Sequence, residues 1–291
     1  MNDSILLANQ LLRGGYDLHV HSAPSHSPRI VTDLELLSDA DAAEMAGVII
    51  KCHYEPTEAR ATICNCAFNP KYTKAYGSIT LNYPVGGINP YAVESAVLLG
   101  AKMIWMPTCD SAHNLKFTRN PKILPRTGLS ITDSSGAIKK EVFAIFEIAK
   151  QHGIPVATGH LSNEESRKLC FEGQAYGVQT ILTHPEWVTI KAPLELQLEL
   201  ADRGTIIEKS WVPVPMGDAD VDMLAASIKK IGAHRIIMST DFGAAFLGCR
   251  PTAALRDYIS AMLDRGISSD EISVMIRENP EKLILTSSCR Q

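Results

Sequence analysis

Eight times along the chain, a glycine opens a short run of branched apolar residues that closes on a polar or loop-forming group. The runs are GYDLHVH from Gly15, GVIIKCH from Gly47, GSITLNY from Gly77, GAKMIWMPT from Gly100, GIPVATGH from Gly153, GVQTILTH from Gly177, GTIIEKS from Gly204 and GAHRIIMSTD from Gly232. They predict strands. Stretches such as Ile236-Ile237-Met238 do not alternate apolar with polar, which is the pattern of strands covered on both faces. Successive glycines stand 32, 30, 23, 53, 24, 27 and 28 residues apart. All but one of these intervals is the length of a strand, a helix and two short loops.

Helical signals fill the intervals. From Lys139 to His152, Val142, Phe143, Ile145, Phe146 and Ala149 recur at three- and four-residue spacing, as one buried stripe requires. Asn89-Pro90 supplies an N-cap and a first-turn proline, and Ser162 with Glu165 and Ser268 with Glu271 have the capping-box spacing. Glycine just past a helix end is favoured because the chain turns there through positive φ.

Strand then helix, eight times over, predicts an α/β protein with a closed parallel (β/α)8 TIM barrel, forming one domain over residues 1–291. An open doubly wound sheet is the alternative, but no glycine-rich phosphate loop follows the first strand. The long interval predicts an extended loop or hairpin insertion after strand four, about residues 109–134, lying over the barrel mouth as a lid.

Composition narrows the class. The chain has 291 residues, 45% apolar and 21% charged, enough for a large core and unlike disordered, collagenous or coiled-coil sequences. A net charge of −4 without a long run of either sign argues against nucleic acid or an anionic membrane as a partner. No apolar run is long enough to span a bilayer. Met1 to Gln10 lacks the layout of a signal peptide, and the seven cysteines are scattered rather than arranged as a disulfide framework, so a reducing cytoplasm is the expected location. A homo-oligomer is left open.

In a (β/α)8 barrel the C-terminal strand ends meet at one face, and here those ends are unusually polar. Asp17, His19 and His21 lie at i, i+2 and i+4 on the first strand; Lys51 and His53 end the second; His160, His184, Glu208 and Asp241 end the fifth to eighth. Five of the nine histidines thus fall at strand termini. Imidazole and carboxylate together suit zinc, iron, nickel or manganese, and this set has ligands enough for two ions.

Asp-Leu-His-Val-His on strand one, His160 on strand five, His184 on strand six and Asp241 on strand eight resemble, in order and position, the ligand pattern of the amidohydrolase superfamily of metal-dependent barrel hydrolases. Glu278-Asn279-Pro280 with Leu283 is similar to the N-P-x-x-L segment near the end of many members, and GGINPYAVESAVLLGAKMIWMPT resembles a little-characterised branch. The resemblance implies that His19, His21 and Asp241 hold one metal and His160 with His184 a second. His53 adds a ligand that most members lack. Where family members carry a carbamylated lysine or glutamate on strand four, this chain has Met106-Pro107-Thr108, so Lys51 and Glu208 become the candidates for that part.

The expectation is a metal-dependent hydrolase that cleaves an amide, ester or lactone bond of a small molecule with activated water, using one or two divalent ions. Zinc suits hydrolysis; iron or manganese are the alternatives. Asp241, Lys51 and Glu208 are the candidate catalytic residues. The competing readings are a non-heme di-iron oxygenase, a metal-dependent decarboxylase or lyase, and a metal-loaded regulatory protein. Trp187, Trp211, Tyr54 and Phe242 are expected to wall the pocket, and Arg29, Arg119, Arg126 and Arg250 lie on segments within reach of its rim. Asp17 is expected to make a structural hydrogen bond, His113 is assigned neither to substrate nor to solvent, and Cys64 and Cys66 are expected to be packing or surface thiols.

Overall fold

The eight glycine-led runs become eight strands in the computed structural model, which describes residues 3–118 and 124–285. In chain order they are β1 (Tyr16–Val20), β2 (Gly47–Ile50), β3 (Ala75–Thr80), β4 (Ala101–Trp105), β5 (Val156–Ala157), β6 (Thr180–Leu182), β7 (Ile206–Ser210) and β8 (Ile236–Ser239). All neighbours pair in parallel, in sequence order. The circle closes where Asp241 N donates to His19 O at 2.8 Å and His21 N donates to Phe242 O at 2.8 Å. The open-sheet alternative is therefore set aside.

Between the strands lie α2 (Asp33–Ala42), α3 (Glu58–Phe68), α4 (Pro90–Leu98), α5 (Lys140–His152), α6 (Asn163–Tyr176), α7 (Leu194–Asp202) and α8 (Val221–Ile231). The chain enters through α1 (Asp3–Leu12) and leaves through α9 (Pro251–Leu263), α10 (Ser269–Ser273) and α11 (Asn279–Leu285). The capping boxes form at Ser162 and Ser268, and a third forms at Thr32 with Glu35. Asn89 caps α4, with Pro90 in its first turn. Gly153 and Gly177 end α5 and α6 at φ of 65° and 82°, where a Cβ would clash with the following carbonyl.

Strand alternation then divides the core. Ile49, Met103, Trp105, Ala157, Ile181, Ile206 and Ile237 pack together inside the barrel, while their neighbours Ile50, Ile104, Val156, Leu182, Ile207 and Met238 pack in the clusters formed with the helices. Because side chains repeat every second residue, Lys51 continues the file of Ile49, and Glu208 that of Ile206, toward the C-terminal mouth. Polar groups therefore follow apolar ones along a single inward face.

From Met106 to Lys139 the chain runs without a strand of the barrel among its described residues. Ser111 bridges to Leu129 and Thr132 to Ile138, the latter closing a small antiparallel turn. Arg119, Asn120 and Pro121 lie outside the described residues. No helix among the described residues is long and apolar enough to cross a membrane.

Candidate metal centre

Strand geometry brings five imidazoles into a ring at the mouth. Centroid separations are 5.4 Å from His19 to His21, 4.9 Å from His21 to His53, 6.1 Å from His53 to His160, 4.9 Å from His160 to His184 and 5.8 Å from His184 back to His19. Asp241 joins on the His19 side, its Oδ1 being 2.9 Å from His19 Nε2 and 3.0 Å from His21 Nε2. Among the described residues, His19, His21 and Asp241 are the group whose possible ligand atoms all lie within 4.8 Å of one another. His53, His160 and His184 complete the ring outside that close trio.

Behind the trio, Glu208 Oε1 lies 2.8 Å from His19 Nδ1 and accepts from Ser239 Oγ at 2.7 Å, while Oε2 accepts from His184 N at 3.3 Å. The carboxylate at Nδ1 favours a proton on that nitrogen and turns Nε2 toward the mouth. Glu208 thus stands behind His19 and His184. Lys51 Nζ is 2.8 Å from the same Nε2 and rests over Trp105, 4.3 Å from the ring centroid.

Burial decides most of the protonation states. It lowers His21 to about 3 and His184 to about 4, and takes His53 and His160 well below the usual imidazole range. These four rings are neutral and keep a lone pair. Burial acts the same way on His19, but Asp241 and Glu208 outweigh it and raise its proton affinity. Asp241 is held well below the usual carboxylate range, because His19 and His21 overcome the effect of burial. Burial also lowers the Lys51 ammonium.

Two site residues sit in the left-handed region of backbone space: His184 at φ 26° and Asp241 at φ 57°. For residues other than glycine this costs about 1–3 kcal/mol each and concentrates at functional sites. The loop after β8 tightens around the same point. Gly243 approaches His21 so closely that a Cβ there would lie 1.8 Å from His21 O.

Other polar residues fasten the ring, and most escaped the sequence reading. Thr108 Oγ1 bonds His53 Nδ1 at 2.8 Å and accepts from Asn82 Nδ2 at 2.7 Å, and Asn82 Nδ2 also donates to His53 O at 2.9 Å. Asn114 Oδ1 lies 3.3 Å from His160 Nδ1. The signal for Asn82 was the same one that marked the histidines, a polar residue at a strand terminus. Asn114 carried no such signal, since it sits in the long segment after β4. Asp17 ties β1 to β8, accepting from Thr240 Oγ1 at 2.6 Å and from Thr240 N at 3.1 Å.

The expected aromatic wall divides. Trp187 lies 5.8 Å from the His184 ring, and Tyr54 lies 6.0 Å from His53 and stacks on His26 at 3.9 Å. Trp211 instead stacks on Tyr258 of α9 at 4.9 Å, and Phe242 is buried with Val212 and Ala254. Those two are packing residues. His113 Nε2 is 2.6 Å from Thr189 O and joins the long segment to the loop after β6. Cys64 is buried in the core and Cys66 is exposed, both as free thiols.

Solved structures similar to the chain share this architecture. An amidohydrolase from Pseudomonas aeruginosa aligns over 98% of both chains with 14% identity and a TM-score of 0.65. A phosphotriesterase homology protein from Escherichia coli, complexed with phosphate in its active site, covers 93% of this chain and 98% of its own at 12% identity and a TM-score of 0.56. A TatD homologue from Escherichia coli covers 94% and 98% at 16% identity and a TM-score of 0.56. At such identities the likeness establishes the fold, an eight-stranded parallel barrel. No curated protein matches the chain by sequence. Residues 14–208, from the turn before β1 to the Glu208 carboxylate in β7, match a family described as "Family of unknown function (DUF6282)", and the chain belongs to that family.

Proposed function

We propose that the protein is a metal-dependent hydrolase acting on an ester, lactone or amide bond of a small molecule. The observation that carries this reading is the close approach of His19 Nε2 and His21 Nε2 to one oxygen of Asp241, at 2.9 Å and 3.0 Å. The three ligand atoms converge closely enough to hold one cation between them. The donor set fits one: His21 Nδ1 and His184 Nδ1 are buried atoms without a partner, and nitrogen with carboxylate oxygen is the usual ligand chemistry of zinc. The similar folds named above, including one with phosphate in its active site, support the same reading.

His19, His21 and Asp241 would hold the first ion, and His160 and His184 a second, with His53 beside them. A bound divalent ion supplies Lewis acidity and lowers the pKa of water from about 15.7 to about 7. The chain's own residues do the rest. Glu208 accepts a hydrogen bond from His19 Nδ1 and so holds the imidazole in one orientation. Asp241, 13% exposed in its side chain, reaches both the ligand cluster and the solvent side of the mouth. There it takes a proton from the attacking water and returns it to the leaving group. Lys51, with its ammonium disfavoured by burial, stands 2.8 Å from His19 Nε2, where its amine is placed to accept a proton released at the cluster.

The test is elemental analysis of natively purified protein, with hydrolysis assayed before and after chelation. Near-stoichiometric zinc or manganese and activity that returns on metal addition are expected. Full activity in metal-free protein would remove the mechanism, and bound iron with substrate-dependent oxygen uptake would replace it with the oxygenase reading.

A further inference from the structure

Four arginines were within sequence reach of the mouth, and the structure separates them. Arg126 is paired with Asp110 and lies over the Tyr83 ring, and Arg250 Nε is 2.8 Å from Asp39. Arg119 lies outside the described residues. Arg29 is half-buried, and its Nε is sealed from solvent with no hydrogen-bond partner. Buried donors are nearly always satisfied, so such a guanidinium calls for a physical reason.

Its position supplies one. Ile30 N donates to Gly243 O at 2.9 Å and Ala245 N donates to Pro28 O at 3.1 Å, so backbone bonds on either side fix Arg29 against the loop that follows Asp241. That loop packs directly on His21 through Gly243. Arg29 itself forms an antiparallel bridge with Ala244, three residues past Asp241, and while burial disfavours the guanidinium charge the Asp241 carboxylate favours it. A planar guanidinium matches an oxyanion with two parallel N–H bonds, and its charge persists where a lysine would lose its proton.

We infer that Arg29 is the oxyanion-recognition residue of the mouth, binding a carboxylate or phosphate group on the small-molecule substrate while the scissile bond lies at the His19, His21 and Asp241 cluster. The inference rests on the hydrolase reading for the second half of that sentence only. It makes the substrate an anion and leaves the cleaved bond to the metal centre.

The experiment is calorimetric titration of benzoate and of inorganic phosphate into zinc-loaded and zinc-free protein, for wild type, Arg29→Gln, Arg29→Lys and Arg250→Gln. In both zinc states Arg29→Gln is expected to weaken at least one probe by about tenfold or more, with Arg29→Lys in between and Arg250→Gln unchanged. The probe that responds identifies which oxyanion is preferred. Unchanged binding in Arg29→Gln, equal loss in Arg250→Gln, or a wild type that binds neither probe overturns the inference. Absence of zinc binding by the wild type counts against the hydrolase reading alone, because the zinc-free titrations still test Arg29. Circular dichroism of each variant confirms that the fold is retained, and wild-type binding decides the matter if Arg29→Gln does not fold.

Discussion

Glu208 Oε1 stands 2.8 Å from His19 Nδ1 inside the barrel, with both side chains closed to solvent. The pair links β7 to β1 across the barrel and fixes which His19 nitrogen faces the mouth. Glu208→Gln keeps the size of the side chain but removes the charge that holds that tautomer. Zinc affinity is expected to fall by about 10- to 100-fold in a competition titration against a chromophoric chelator. An unchanged affinity would show that Glu208 does not orient the ligand.

Asp241→Asn retains the shape of the carboxylate and its left-handed backbone, which asparagine tolerates. Hydrolysis of any ester or lactone that the wild type turns over is expected to drop by about two to four powers of ten. Thermal unfolding of the metal-free variant should move little. Activity within a few-fold of wild type would take the proton-transfer role away from this residue.

In metal-free protein, stability is expected to fall as pH drops below about 6.5, the unperturbed imidazole value. Burial places His21 at about 3 and His184 at about 4, and lowers His53 and His160 as well. The unfolded chain therefore gains protons on these groups before the folded chain does, and their contribution, present above the unfolded pKa, is lost as pH falls through the window. His19 and Asp17, whose folded values are raised, the latter to about 7 by burial, work in the opposite sense, but at the mouth these two oppose four. Each net proton taken up on unfolding is worth about 1.4 kcal/mol per pH unit. Urea midpoints that do not change between about pH 7 and about pH 5 would contradict this account.

Lys209 lies in β7 next to the inward-facing Glu208 and is buried on the opposite face of the strand, 2.5 Å from Glu186 Oε1 and 2.6 Å from Gln197 Oε1. Lys209→Met strands the Glu186 carboxylate in a low-dielectric environment and is expected to cost about 3–5 kcal/mol in urea unfolding. The double change Lys209→Met with Glu186→Gln should recover a large part of that loss, since both charges then leave together. A single variant as stable as wild type would mean that water reaches the pair.

Gly243 combines φ of 134° with backbone contact to His21. Gly243→Ala must move the β8 loop, so it is expected to destabilise the chain by more than about 1 kcal/mol and to weaken zinc binding through His21. Loss of stability with unchanged zinc affinity would separate the loop from the site.

Periodicity alone determined the barrel. Eight glycine-led apolar runs at strand-plus-helix spacing demand a parallel sheet buried on both faces, and the polar residues ending those runs must then meet at one rim, because parallel strands all end on the same side. That reasoning located His19, His21, His53, His160, His184, Glu208 and Asp241 as neighbours. It did not determine their relations. Which imidazole Glu208 would pair with, whether Trp211 would stack on Tyr258, and which arginines would pair with Asp110 and Asp39 all depend on contacts between residues far apart in the chain. Strand register and side-chain packing decide those contacts, and a local pattern of two or three and a half residues carries no information about either. Tertiary structure alone set Arg29 against the loop that follows Asp241, because those two segments meet only when the barrel closes.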